Sequence, residues 1–138
     1  NIVGYKAASG DLGRISEVAR RTADEEFSVL SGDDGLTLPI LSVGGTGVIS
    51  VAGNVEPERV SDLVWSALEG DWDHAREVHR ELAPLVDALF VETNPSPVKA
   101  AMEIRGYGPE RLRSPLSTIG ASNRAHLESV LDELEGRT

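Results

Sequence analysis

The sequence has 138 residues, with 13 basic against 23 acidic side chains, a formal net charge of -10 and a pI near 4.7. With 40% apolar and 26% charged residues it can bury a core, which argues for one globular domain and against disorder or a fibrous repeat. An acidic surface with only two each of Phe, Trp and Tyr argues against nucleic acid as a partner. No run approaches the roughly 20 apolar residues that cross a bilayer, and no charged-then-apolar leader opens the sequence, so the expectation is a cytoplasmic protein without a membrane partner. Cysteine is absent, which removes disulfides, zinc-thiolate sites and thiol nucleophiles.

The first 55 residues alternate β-like runs with helical patterns, the order of βαβ units feeding a parallel sheet. Ile2 to Ala8 is apolar except for Lys6, Phe27 to Leu30 follows a polar turn, and Gly47 to Ala52 reads Gly-Val-Ile-Ser-Val-Ala. Between the first two, Leu12, Ile15, Val18 and Ala19 recur at helical spacing behind Asp11, which suits an N-cap. Between the second and third, Leu36 to Val43 is a weaker helical pattern holding Pro39, tolerable only in a first turn.

After Asn54 the β signal stops. Pro57 opens a helix with Val60, Leu63, Val64, Ala67 and Leu68 on one face, closed by Gly70. Asp71 starts a longer helix whose stripe is Val78, Leu82, Leu85, Val86, Leu89 and Phe90, with Pro84 inside it as an expected kink. Asn94 is expected to cap a third helix, with Pro95 and Pro97 fixing its start, that runs toward Arg105 and stops at Gly106 and Gly108. The last helix is expected from Ser122 to about Glu135, facing inward with Leu127, Val130, Leu131 and Leu134. Three parallel strands cannot make a two-sided sheet with so few helices of their own, and the sequence opens on a strand-like run. The expectation is therefore the end of a barrel, with further residues upstream of Asn1.

Of the 13 basic residues, eleven are Arg and only Lys6 and Lys99 are Lys. Codon drift explains that bias without selection on charge. A salt-adapted interior explains it together with the clustered acids Asp24 to Glu26 and Asp132 to Glu135, because salt screens their mutual repulsion.

Lys6 is the sharpest local signal. An ammonium in a β run among Val3, Tyr5, Ala7 and Ala8 is costly to desolvate, and a neutral lysine amine attacks carbonyls to form Schiff bases. An edge-strand lysine or a snorkelling stem reads the same way in sequence. Gly44-Gly45-Thr46-Gly47 lacks a full dinucleotide fingerprint and precedes a strand instead of following one. Ser31-Gly32-Asp33-Asp34 follows a strand, where barrel enzymes keep catalytic loops; Asp33 and Asp34 suit a metal or, better, a helix cap. His74 and His79, five apart, cannot share a metal on one helix face and read as surface. His126 has no acidic partner that the sequence identifies, and Trp65 and Trp72 read as packing anchors.

Four segments, in order, resemble the dihydrodipicolinate synthase family: Asn1-Ile2-Val3-Gly4-Tyr5-Lys6-Ala7-Ala8-Ser9-Gly10-Asp11, Leu30 to Asp34, Gly44 to Val51, and Asn94-Pro95-Ser96-Pro97-Val98-Lys99. The resemblance covers essentially the whole sequence and implies the C-terminal part of a (β/α)8 TIM barrel, an α/β fold with three parallel strands, followed by a small all-helical domain. Residues 1–70 would then be the last three βα units and 71–138 the helical domain. It implies that the Lys6 amine condenses with pyruvate to an imine, that the derived enamine attacks aspartate 4-semialdehyde, that Gly32 lies beside this second substrate, and that Ile49 presents its backbone carbonyl to the lysine and bound pyruvate. Asn94 to Lys99 would be a structural motif at a helix start. The resemblance implies no cofactor and no metal, and a homo-oligomer, a tetramer in that family.

Where the family usually follows the lysine with Glu-Ala-Thr or Glu-Ala-Ser, this sequence has Ala7-Ala8-Ser9, and where many read Thr-Ala-Asn it has Val51-Ala52-Gly53-Asn54. The family's tyrosine relay, paired threonines and substrate arginine belong to the first half of the barrel. The alternatives are a sister pyruvate aldolase, such as a 2-keto-3-deoxy-sugar acid aldolase or N-acetylneuraminate lyase, and a non-catalytic barrel fragment acting as an assembly module.

Overall fold

The computed structural model describes residues 1–136. Three short strands, β1 (Gly4–Ala7), β2 (Ser28–Ser31) and β3 (Gly47–Val48), form a parallel sheet in the order β1-β2-β3. Among the described residues there are also six α-helices: α1 (Leu12–Arg21), α2 (Thr37–Ser42), α3 (Pro57–Glu69), α4 (Trp72–Leu89), α5 (Ser96–Ile104) and α6 (Ala121–Glu135). This is the expected α/β arrangement, a partial barrel followed by helices. The register aligns Lys6 with Leu30 and Leu30 with Gly47 across the sheet.

Parallel neighbours need a crossover, and α1 and α2 supply the two crossovers. Asp11 caps α1 by accepting from the Arg14 amide at 3.0 Å, as its position predicts. Ile15 and Ala19 of α1 and Ile40 of α2 bury against Ala7 and Val29, making a small core on one face of the sheet. Pro39 falls in the first turn of α2, where its missing N–H costs nothing. The Gly-rich tract makes the tight return into β3. Gly44 has φ of 103°, and a Cβ on Gly45 would stand 2.6 Å from Ile40 Cγ2 and 2.8 Å from the Ile40 carbonyl oxygen, so only glycine lets the chain pass.

The strands are shorter than their apolar runs. Ile2 and Val3 lie outside β1 and are exposed, although the Val3 carbonyl still accepts from the Ser28 amide. The ladder from β3 to β2 reaches no further than the Ile49 amide, because the Val51 and Ala52 amides are bound elsewhere, as described below, and residues Ala52–Asn54 turn into a 3₁₀ helix.

The second, larger core lies among the helices. Leu63 and Ala67 of α3, Val78, Leu82, Leu85 and Leu89 of α4, Val98 and Ala101 of α5, and Leu127, Leu131 and Leu134 of α6 are all buried in it. Gly70, with φ of 91°, ends α3, and Asp71 caps α4 through the His74 amide at 3.1 Å. Helix α4 runs through Pro84, which sits on its exposed side.

One expected cap and three expected packing positions fail here. Asn94 does not cap α5: Pro95 precedes the helix without a side-chain cap, after a cis Asn94–Pro95 bond. Trp65, Leu68 and Phe90 are exposed, not buried stripe positions or anchors. Trp65 and Leu68 instead line a groove with Leu30, Val48 and Val64 along β3, whose outer side carries no further strand among the described residues.

Half-buried arginines tie the helices together. Arg59 donates to Glu81 at 2.7 Å and to the Leu134 carbonyl at 3.0 Å, and Arg105 reaches Glu56 and Glu135. Arg124 pairs with Glu103 and Glu110. A guanidinium fork can hold two partners on different elements, so the arginine bias has a structural use whatever produced it. Lys99 donates to the Arg111 carbonyl at 2.6 Å, pinning α5 to the following loop. The acids Asp24 to Glu26, Asp132, Glu133 and Glu135 are exposed, as expected.

His74 of α4 meets Asp62 of α3 at 2.8 Å, and that hydrogen bond raises the imidazole pKa above its ordinary value of 6.5. A raised folded-state pKa gives stability that is fully present below the unfolded value and is lost as pH rises through the folded one. Urea unfolding is therefore expected to show the parent losing more stability than Asp62→Asn as pH is raised from just below 6.5 through the titration; parallel curves for the two proteins would remove this pair from the account.

Candidate active site

Side chains alternate across a strand, so each strand divides its residues between two faces. Ala7, Val29 and Ser31 face α1 and α2 and are buried. Gly4, Lys6 and Ala8 on one strand line, Ser28, Leu30 and Gly32 on the next, and Gly47 and Ile49 on the third take the opposite face. Close approaches confirm that they share it. A Cβ on Gly4 would meet Ser28, one on Gly47 would meet Leu30 Cδ2 at 3.1 Å, and one on Gly32 would meet Lys6 and Ala8. No helix among the described residues covers this face at Lys6, which is exposed.

Lys6 and Gly32 are brought together. A Cβ at Gly32 would stand 2.8 Å from Lys6 Cε, 3.0 Å from Lys6 Cγ and 2.9 Å from Ala8 Cβ. The lysine stem therefore leans across β2 just beyond its end, in space that only glycine leaves free. The Gly32 amide donates to the Ala7 carbonyl at 2.7 Å, continuing the ladder one step. On the far side of β2 the Ile49 amide donates to the Ser31 carbonyl at 2.8 Å, which sets Ile49 directly past β3, half exposed. Lys6, Gly32 and Ile49 thus gather at the C-terminal end of one sheet face, within the roughly 10 Å that separates the outer two of three strands. The desolvation expected of Lys6 from its apolar neighbours is absent here: Ala7 points away from it into the helix-side core, and Tyr5 does likewise.

A cleft of about 490 Å³ opens beside this triad, lined by Ala8, Gly32, Asp33, Gly35, Val86, Asp87 and Phe90. The C-terminal half of α4, with Phe90 just past it, is thus one wall; the apolar spacing places Phe90 in the helix stripe, and no periodicity distinguishes a buried stripe position from one overhanging a cleft. A smaller cavity of about 140 Å³ lies behind it, between the Asp34 turn, α3 and α4. His79 lines this cavity and is half-buried, not a plain surface residue, and burial pushes its pKa below the ordinary value.

The two acids of the Ser31–Asp34 turn part company. Asp33 caps the 3₁₀ turn Asp34–Leu36 by accepting from the Gly35 amide at 2.9 Å, as expected. Asp34 is buried and spans to the segment after β3. Its adjacency to Asp33 was the available signal, and the sequence could not tell which acid turned inward. Among the described residues no group of three or more His, Asp or Glu is placed to hold a metal ion, and no helix is long and apolar enough to cross a membrane. His126 is exposed on α6.

The dihydrodipicolinate synthetase family model matches residues 1–134. The chain belongs to that family. It is 61% identical over 135 residues to the 4-hydroxy-tetrahydrodipicolinate synthase of Haloarcula marismortui, covering 98% of this chain and 44% of the relative. The Natronomonas pharaonis synthase is 56% identical over the same number of residues. Among solved structures, dihydrodipicolinate synthase from Aquifex aeolicus superimposes with a TM-score of 0.94 at 47% identity, covering 98% of this chain and 46% of that one. The chloride-inhibited enzyme of Acinetobacter baumannii, solved in complex with pyruvate, superimposes with a TM-score of 0.90 at 32% identity, covering 98% of this chain and 46% of that one. The chain spans somewhat under half the length of these relatives.

Because Ala8 Cβ and the lysine stem both crowd residue 32, Gly32→Ala is expected to cost about 1–3 kcal/mol in urea unfolding and to shift the Lys6 side-chain NMR signals. Adding Ala8→Gly to that variant should recover part of the stability. A neutral Gly32→Ala with unmoved Lys6 signals would contradict the close approach.

Proposed function

We propose that this chain supplies the Schiff-base lysine and part of the substrate wall of a lyase that condenses pyruvate with aspartate 4-semialdehyde. The observation that carries this reading is the placement of Lys6 on the open sheet face, its stem lying over Gly32 at the C-terminal ends of the strands. That is the end at which barrel enzymes keep their chemistry. Membership of the synthase family and the pyruvate complex of a structural relative support the same substrate.

In the proposed reaction the Lys6 amine adds to the pyruvate ketone carbon, and loss of water leaves the imine. A methyl proton then leaves, its bonding electrons forming the enamine double bond, and the enamine carbon attacks the aldehyde carbon of the second substrate. Attack of that substrate's amino group on the imine carbon closes the ring and returns the amine to Lys6. Gly32 gives the second substrate room beside the lysine, and the Ile49 carbonyl is proposed to face the lysine and bound pyruvate. The departure from the family pattern at Ala7 does not bear on the choice between the synthase and a sister aldolase through direct contact, because Ala7 is buried against α1 and α2 and does not face the cleft.

A closed (β/α)8 barrel takes about 250 residues, so the activity is proposed for an assembly in which further strands cover the Lys6 face and pair with the open sides of β1 and β3. We propose residues 1–70 as the last βα units of that barrel and 71–138 as an appended helical domain. By family resemblance the assembly is proposed to be a cytoplasmic homo-oligomer, and the exposed acids suit a salt-rich solution.

When the complete protein carrying this chain is incubated with pyruvate and reduced with borohydride, peptide mass spectrometry is expected to find the adduct on Lys6 and none in Lys6→Arg. An unmodified Lys6 in folded protein would refute the Schiff-base reading. The same protein is expected to condense pyruvate with aspartate 4-semialdehyde faster than it cleaves 2-keto-3-deoxy-sugar acids, and the opposite order would reassign it to a sister aldolase.

A further inference from the structure

We infer that Asp34 is a positioning residue that holds the Ile49 segment in register with Lys6 and Gly32; this rests on the reading of those three residues given above. Asp34 is only 7% exposed. One of its carboxylate oxygens accepts from the Ser50 hydroxyl, and the other from the Val51 amide at 2.9 Å and the Ala52 amide at 3.3 Å. The Ser50 oxygen in turn accepts from the Gly53 amide at 2.7 Å. Four consecutive residues after Ile49 are thus bound, directly or through one hydroxyl, to a single carboxylate on the turn that begins at Gly32.

The other end of the link is equally fixed. Ser31 is fully buried, its hydroxyl donates to the Asp33 carbonyl at 2.6 Å, and its own carbonyl accepts from the Ile49 amide. Gly32 and Ile49 therefore sit at opposite ends of a closed hydrogen-bonded ring running through Ser31, Asp34 and Ser50. All of the carboxylate's named partners are neutral donors. Burying a charge is costly unless every lone pair finds a donor, and packing alone would need no charge here, since Val51 and Ala52 already pack on the helical core. What a carboxylate adds is the ability to accept from one hydroxyl and two amides at once. An asparagine in its place would turn its NH₂ toward at least one of those donors. The Val51 and Ala52 amides, held by Asp34, do not continue the ladder past the Ile49 amide, so the same contact that ends the ladder aims the Ile49 peptide.

The test uses the complete protein and two variants, Asp34→Asn and Ser50→Ala, read by pyruvate kinetics and by amide hydrogen exchange. For Asp34→Asn the Val51 and Ala52 amides are expected to exchange about tenfold faster and KM for pyruvate to rise about tenfold, with kcat changed much less. Exchange at the buried α4 residues Leu85 and Leu89 should stay at the parental rate. Ser50→Ala, which leaves both amide bonds in place, is expected to move the same two readouts about threefold, and it decides the matter if the asparagine variant does not fold. Parental KM and parental exchange at Val51 and Ala52 in Ser50→Ala, or exchange raised equally at every core amide in both variants, would overturn the positioning role. If the parent itself shows no borohydride-trapped pyruvate on Lys6, the reading of the site fails, and exchange at Val51 and Ala52 still tests the brace alone.

Discussion

The parallel pairing of three short strands, dressed on one face only, is the constraint from which the rest of this structure follows. Parallel strands leave their C-terminal ends on one edge, so the residues just past β1, β2 and β3, at positions 8, 32 and 49, are neighbours although they are far apart in sequence. Alternation then sorts those residues. Ala7, Val29 and Ser31 go to the helices, while Lys6, Gly32 and Ile49 take the other side. Nothing in the local sequence around Gly32 refers to Lys6; it is register that makes them touch, Lys6 against Leu30 and therefore next to the residue two places on.

Two kinds of interaction hold the frame, and they divide by location. The helices after Pro57 are held by a continuous apolar core with arginine forks bridging α3, α5 and α6. The sheet edge that carries the candidate site has little apolar packing of its own. There, glycines permit close approach and a buried carboxylate with its hydroxyl neighbour fixes the loop. Directional bonds suit a site better than packing does, since hydrogen bonds set orientation as well as distance, whereas apolar contact fills volume with tolerance.

Much of this was legible. Period-3.6 stripes gave α1, α4 and α6 with their caps at Asp11 and Asp71, because those patterns and caps are local. The strands are overextended in the sequence, since an apolar run marks where a strand can be, and hydrogen bonds mark where it ends: before β1 only the Val3 carbonyl bonds to β2, and after β3 Val51 and Ala52 give their amides to Asp34. The reading failed most at Trp65, Leu68 and Phe90. A periodic pattern ranks residues by which helix face they occupy, and it treats a face that lines a groove the same as one that meets a core. Lys6 stands out locally as an ammonium in an apolar run, while Gly32 and Ile49 are named through the resemblance of their segments to a family; the meeting of the three on one face is a finding of the structure. Asp34 was legible only as one of two adjacent acids.

The two lysines bring the chemistry and the fold together. Lys99 is used as a structural donor to the Arg111 carbonyl, a task for any ammonium on a stem of that length. Lys6 makes no such contact to backbone; its stem lies over Gly32 on the open face. A guanidinium is planar and stays charged at any accessible pH, so it cannot serve as an attacking amine. In a chain where arginine has taken eleven of thirteen basic positions, a lysine at position 6 fits the proposed Schiff-base chemistry, which a guanidinium cannot perform. The strands proposed to close the barrel bear on the same proposal, since they would cover the face on which Lys6 is now open to water.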